Sequence, residues 1–399
     1  MIVVYYTQTY YLDAVIETIQ SIKNMVELHV LIELSPESKQ STIIDIGSLN
    51  DFETIEDCDK VLGWRKWALL KKYFEGVASI RFVVHQHKKA FSLTSLSTAA
   101  KAGKYIQLLN ADIIHFDTVS GRSIGMYPYI RSKRIMVTVH DPMPHSGEGS
   151  WKKKVPEWIY YPRAKGFFFY SNFAQDQFKK YHGRYKAASA VLRFQPFTYI
   201  QQFKRDESTD EKVILFFGRI SKYKGIDLLL KAIPAVLQKF PDEKFIIAGA
   251  SSYGYKVDEK IIGQFSKNIR LIEGTISVSD LMMLLSKAKF VICPYRDATQ
   301  SGVLMTALAA GKMAIATNIG AFPEYIEQDQ TGMLTSPDAA GIEATIIRAI
   351  KNDHYKTIEQ KLNSKYDNVT GNKNAEVLLA AYQENIHGYN NTALQTVFD

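Results

Sequence analysis

The sequence predicts an α/β protein made of two doubly wound domains that face a cleft. Three observations carry that expectation. With 399 residues the chain is too long for a single hydrophobic core and suits two domains of ordinary size. Its second half alternates short apolar runs with helical patterns, and the runs are continuously apolar, as strands covered by helices on both faces require. Between the halves lies a polar stretch, KRDESTDEK at 204–212, with the composition of a linker. The expected division is a first domain over 1–205, a second over 206–374, and a terminal helix within 375–399 that crosses back to the first.

In the first half the candidate strands are IVVYY (2–6), LHVLIEL (28–34), SIRFVVH (79–85), DIIHF (112–116), IMVTVH (135–140) and GFFFYS (166–171). β-Branched and aromatic residues fill them. A single amphipathic helix is expected over 60–76, with Leu62, Trp67, Leu69, Leu70, Tyr73 and Phe74 in one sector and Trp64, Arg65, Lys71 and Lys72 outside it. Such a helix packs on a sheet with its charges in water, or lies on an anionic membrane. The second half gives the strand VILFFG (213–218), a helix over 227–240, KFIIAG (244–249) and a helix over 258–266. NIRLIEG (268–274), a helix over 279–287, FVICPY (290–295), a helix over 302–310 and MAIAT (313–317) complete the run.

Composition narrows the class. The chain is 46% hydrophobic and 23% charged, ordinary for a soluble globular protein. Cys58 and Cys293 stand far apart in no metal-ligand spacing, so no disulfide is expected and a reducing compartment suits the chain. The N-terminus reads as a first strand rather than a leader, and no apolar run approaches the roughly 18 residues of a membrane span. A cytoplasmic location follows, and the sequon at Asn390 carries no weight there. The formal charge of +8 gathers in 60–104 and 151–186, together with all four tryptophans, Trp64, Trp67, Trp151 and Trp158. Basic residues beside interfacial aromatics suit an anionic partner, so peripheral contact with the inner face of a membrane is an expected extension. No nucleic-acid reading motif accompanies the charge, and no nucleic-acid partner is expected. Tyr6-Thr-Gln-Thr-Tyr10 follows the first strand where a dinucleotide enzyme carries G-x-G-x-x-G, which argues against a nicotinamide dehydrogenase.

Two segments carry chemistry. Phe217-Gly-Arg-Ile-Ser-Lys-Tyr-Lys-Gly225 follows a buried strand and precedes a helix, placing Gly218, Arg219 and Lys224 at the rim where such sheets bind ligands. A guanidinium and an ammonium on one edge suit a diphosphate, which gains charge as a leaving group. Asp297-Ala-Thr-Gln-Ser-Gly302 leads from FVICPY into the next helix, whose first amides and dipole favour an anion. Ser301 and Gly302 permit close approach of a phosphate to the backbone, while Thr299 or Ser301 is suited to cap the helix. Glu324, in GAFPEYI, sits at a helix start where a carboxylate is structurally favoured. His85-Gln-His87 has the spacing of a metal pair but no third ligand nearby, so no metal site is expected.

These segments, with the ICPY run, LMTALAAGKMAIAT (304–317) and GAFPEYIEQDQTGML (320–334), resemble the retaining GT-B glycosyltransferases of family four, known as glycosyl transferases group 1. The likeness runs through nearly all of 211–350; the first half shares strand order and VTVHDP (137–142). It implies a GT-B fold of two Rossmann-like domains. Arg219 and Lys224 match the basic pair that neutralises the donor diphosphate, and Gly274, Thr275 and Ile276 match the turn that meets the nucleobase. Gln300, Ser301 and Gly302 match the loop that contacts phosphate and donor sugar, and His140 matches the histidine facing the transferred sugar. His145, His85 and His87 are alternatives for acceptor contacts.

One departure stands out. The two glutamates usual in the family are replaced by Ala298 and Thr306, so this chain is a variant lacking the pair. Thr306 offers the ribose one hydrogen bond where a carboxylate offers two, and Thr299 and Gln300 can supply polar contacts absent at Ala298. The resemblance implies a metal-independent, retaining transfer from a nucleotide diphosphate sugar, the co-substrate, to a glycan or lipid-linked acceptor. No further cofactor is expected. The alternatives are a GT-B sugar-nucleotide epimerase and a non-catalytic sugar-nucleotide-binding subunit.

Overall fold

Parallel strands joined by helices make up both halves of the chain and sort into two units. A computed structural model describes residues 1–38, 45–143, 151–203, 211–252, 254–366 and 371–387. Residues 204–210 of the expected linker, His145 and the sequon at Asn390 lie outside the described residues, as do the side chains of Trp151 and Lys153.

The first unit takes the described residues of 1–193 and the terminal helix Gly371–His387. Its strands are β1 (Ile2–Gln8), β2 (Glu27–Leu34), β3 (Ile55–Asp57), β4 (Ser79–Val84), β5 (Ile113–Phe116), β6 (Arg134–Thr138), β7 (Ala164–Phe169) and β8 (Ala188–Val191). They lie in the order β3-β4-β2-β1-β5-β6-β7-β8, all parallel except β3 against β4. The second unit, 194–366, holds β9 (Val213–Phe217), β10 (Phe245–Gly249), β11 (Ile269–Glu273), β12 (Ala288–Cys293), β13 (Ala314–Thr317) and β14 (Gly332–Thr335). Its order is β11-β10-β9-β12-β13-β14, the dinucleotide-fold order 3-2-1-4-5-6.

Both sheets are built from the continuously apolar runs the sequence shows, and helices cover them. Val213 to Phe217 are buried throughout, as are Phe245 to Gly249. In each sheet the strand order reverses once, between β1 and β5 and between β9 and β12, and the loops after those four strands are where open α/β sheets bind ligands.

Three expectations change. The helix expected over 60–76 is two, Cys58–Leu62 and Trp64–Phe74, because Gly63 takes a positive φ of 74° that breaks the helical path. Leu70, Tyr73 and Phe74 pack inward, whereas Leu69, expected beside them, is 40% exposed and Trp64 is 72% exposed. The chain also enters the second unit at Phe194, ahead of the boundary at 205. Phe194, Phe197, Tyr199 and Ile200 are buried there, with the Phe194 amide on the Tyr325 hydroxyl and the Gln201 side-chain amide on Ala309 O.

Candidate active site

In the second unit the loops after β9 and β12 meet. Gly225 makes this possible: it sits at φ 66° and so close to the end of β12 that a Cβ would fall 1.9 Å from Pro294 O. Arg296 fastens the two loops together. Its amide donates to Tyr223 O at 2.7 Å, and its guanidinium grips both oxygens of Asp227 at 2.6 and 2.7 Å.

Within that frame Lys224 is only 8% exposed. Its Nζ donates to the Tyr295 hydroxyl at 2.6 Å and stands 3.9 Å from the centre of the Tyr295 ring and 5.1 Å from that of Tyr223. Arg219 donates through Nη2 to the Tyr223 hydroxyl at 3.1 Å. Two tyrosines thus aim two cations, combining a hydrogen bond with the negative ring faces. Ser301 reaches the same Tyr295 hydroxyl at 3.5 Å, and its Oγ caps the helix Gly302–Ala309 by accepting from Leu304 N at 3.2 Å. The ammonium of Lys224 and the helix start at Ser301 therefore share one phenol, and the amides of Gly302 and Val303 lie ahead of the first intrahelical bond. Ser221, in the loop between the cations, buries its Oγ with no hydrogen-bond partner among the described residues.

The other expected donor residues fall around this cradle. Thr299 is buried in the loop after β12 and Gln300 is half-buried beside it. Thr306 spends its hydroxyl proton on Gly302 O at 2.7 Å, so it can accept a hydrogen bond but not donate one. Ala298 is buried under the Gly320 turn and presents no side chain to a ligand. Gly274, Thr275 and Ile276 follow β11, two strands from β9; the Gly274 amide bonds Gly249 O at 3.1 Å, continuing the carboxyl rim of the sheet. Glu324 lies in the first turn of the short helix Phe322–Tyr325.

In the first unit His140 follows β6 by two residues, since the strand stops at Thr138 rather than running to His140 as the sequence suggested. It is 3% exposed, and its Nε2 lies 3.0 Å from Oδ2 of Asp117, which is fully buried. Asp117 follows β5 at the point where this sheet reverses, and also accepts from the hydroxyls of Tyr5 and Thr7, each at 3.1 Å. Tyr11 stacks on the imidazole at 3.9 Å between centres. A buried carboxylate on one ring nitrogen fixes the tautomer and orientation of a histidine. Asp117 and Tyr295 are the residues sequence reasoning missed. Each stands just past a strand beside the reversal of its sheet, and that position was the available signal.

His85 is buried with neither ring nitrogen bonded among the described residues, and burial pushes its imidazole down to about 3. Among the described residues no three His, Cys, Asp or Glu side chains gather as a metal site needs. Cys293 is a core residue, its thiol pushed up to about 12 by burial.

The glycosyl transferases group 1 family matches residues 211–352. Spore coat protein SA of Bacillus subtilis is 28% identical over 131 residues, 31% of this chain and 35% of that protein. The chain spans between 33% and 44% of the length of the curated relatives it matches. Two solved structures show the fold at low identity. Anabaena Alr3699/HepE in complex with UDP-glucose has a TM-score of 0.65 at 15% identity, covering 96% of this chain and 100% of that one. The UDP-GlcNAc 2-epimerase of Neisseria meningitidis bound to UDP-GlcNAc has a TM-score of 0.57 at 12% identity, with the same coverage. The expected GT-B class, two Rossmann-like doubly wound domains, is borne out. The segment 211–352, which carries Arg219, Lys224 and Ser301, is similar to the glycosyl transferases group 1 family.

Proposed function

We propose that this chain is a glycosyltransferase that moves a hexose-type sugar from a nucleotide diphosphate sugar to a glycan or lipid-linked acceptor, keeping the anomeric configuration, in surface polysaccharide or glycoconjugate synthesis. One observation carries the reading: Lys224 and the helix start at Ser301 converge on the Tyr295 hydroxyl, with Arg219 beside them. Cations and helix amides at one point stabilise a departing diphosphate through charge held in place before the reaction. As the glycosidic bond breaks, its electron pair goes to the leaving phosphate oxygen. That oxygen accepts the acceptor hydroxyl's proton while the hydroxyl oxygen bonds the anomeric carbon on the same face. His140, oriented by Asp117, contacts the transferred sugar. No metal is assigned a step.

The test is incubation with UDP-, GDP-, ADP- and TDP-sugars while following nucleotide release and glycosylated product. Lys224→Ala should lower kcat/KM about 10²–10³-fold with an unchanged melting point, the scale of losing one preorganised donor. Turnover near the wild-type rate in that variant would refute the reading. A second reading, a non-catalytic sugar-nucleotide-binding subunit, has its support in the buried Ala298 and in the Thr306 hydroxyl tied to Gly302 O. It predicts a raised melting point with the donor and no released nucleotide. An epimerase would isomerise the donor with no acceptor present.

The same reading includes peripheral binding to the inner face of a membrane, supported by Trp64, Arg65, Leu69, Lys71 and Lys72 exposed on one helix. No described helix is long and apolar enough to cross a membrane. Trp64→Ala should reduce partition onto phosphatidylglycerol vesicles several-fold; equal partition removes this part of the proposal.

A further inference from the structure

The parallel order of the first sheet puts the amino ends of β6, β7 and β8 side by side, about 4.8 Å apart. A cavity of 790 Å³ opens at that rim. Five cations line it, Arg131, Lys133, Arg134, Arg163 and Lys165, against the single carboxylate of Glu384 from the terminal helix. His140 stands past the other end of β6 and Asp117 past that of neighbouring β5, on the order of 20 Å away. The cavity is therefore distinct from the sugar-transfer site.

Polar rather than acidic groups hold two of the cations. Arg134 donates through Nε to Asn385 O at 2.7 Å, and Lys133 donates to Asn110 Oδ1 at 3.1 Å. Both are fixed in direction while their charge is left in place. A merely solvated face would spread such charges apart; here neighbouring strands present like charges to one concavity, which costs stability and focuses a positive potential. We propose that this cavity binds a ligand carrying two or more clustered phosphates, which would relieve that repulsion. Arginine forks and lysine ammonium groups are the donors such oxygens take best.

The probe is inorganic tripolyphosphate, titrated calorimetrically against the full chain in a Lys224→Ala background, so that the donor cradle does not contribute. Arg131→Glu combined with Lys165→Glu changes two exposed residues. Binding should weaken at least tenfold in that variant, roughly the effect of losing one or more charge-assisted contacts. Without ligand the variant should melt at the same temperature or higher, since repulsion is reduced. In otherwise wild-type chain, the pair should leave sugar transfer unchanged. A parallel arm compares partition onto phosphatidylcholine vesicles containing phosphatidic acid. If the pair also lowers that partition, the phosphates belong to lipid headgroups; if only tripolyphosphate binding falls, the ligand is soluble. No tripolyphosphate binding by the parent chain, or equal binding by the variant, overturns the proposal.

Discussion

At the scale of single residues, the proposed donor cradle turns on Tyr295. A lysine as buried as Lys224 pays for lost hydration unless its ammonium finds oriented partners. Tyr295 provides a ring face and an acceptor oxygen together. Tyr295→Phe keeps the face and removes the oxygen, so Lys224 loses its aim while the core around residue 295 stays filled. A hydrogen bond to a charged group is worth about 1.5–3 kcal/mol, so kcat/KM should fall roughly ten- to a hundred-fold, and the melting point should drop by a few degrees because the buried ammonium loses a partner. Steady-state kinetics with a working donor decide it, and an unchanged kcat/KM would show that Lys224 is placed by something else. The cradle was only half legible in the sequence. Arg219, Lys224 and Ser301 announce themselves as polar residues just past strands. Tyr295 ends an apolar run, FVICPY, and nothing in its pattern separates a packed ring from one whose hydroxyl holds a lysine. Asp117 was hidden similarly at the end of DIIHF, because its partner His140 is distant in sequence and adjacent only through the pairing of β5 with β6.

At the scale of elements, most of the strands that were legible are buried on both faces, because continuous apolar runs leave little ambiguity once turns bound them; β4 and β11 are only partly buried and were legible through their aliphatic and β-branched residues. The strands that escaped are short. β3 is Ile-Glu-Asp on the sheet edge, β8 is Ala-Ser-Ala-Val, and β14 is Gly-Met-Leu-Thr. Each is formed by pairing with a neighbour rather than by its own composition. The Arg296–Asp227 clasp was illegible for the same reason, since it joins the loop after β12 to the first turn of the helix Ile226–Lys239. Burial alone would raise the Asp227 carboxyl, but the hydrogen bonds and charge of Arg296 bring it below its ordinary value. The pair's contribution is full above the usual carboxylate range and is lost as pH falls through the lowered Asp227 value. Both side chains are about one-third exposed, so Asp227→Asn should cost only ~0.5 kcal/mol in urea unfolding near neutral pH. Its larger effect should be kinetic: with the loops unclasped, kcat/KM should drop by about tenfold, as small displacements of a phosphate cradle do. A loss of stability without a kinetic effect would make the clasp purely structural.

At the scale of the whole chain, the terminal helix and the first sheet are joined through a buried histidine, and this makes the first unit sensitive to acid. His115 in β5 bonds the Tyr382 hydroxyl through Nδ1 and Thr138 Oγ1 through Nε2, the latter at 2.8 Å. Burial pushes its imidazole down to about 3, and His85 is lowered to about 3 likewise. In the unfolded chain both titrate near 6.5. The sign follows from proton uptake: between about 6.5 and 3 the unfolded state binds protons that the folded state refuses, so stability falls as pH falls through that window and is fully present above it. Thermal melts from pH 7.5 to 4.5 should show a decreasing melting point. Carboxylates contribute to the same slope, so the histidine share is read by difference. His115→Gln has no titrating ring; it should lower the melting point at pH 7.5 through lost packing and hydrogen bonds, yet decline less steeply on acidification. His85→Gln should flatten the slope separately, and the two effects should add, because His115 bonds Tyr382 and Thr138 while His85 has no hydrogen-bond partner among the described residues. Parallel slopes for wild type and both variants would mean that neither imidazole is held neutral by burial.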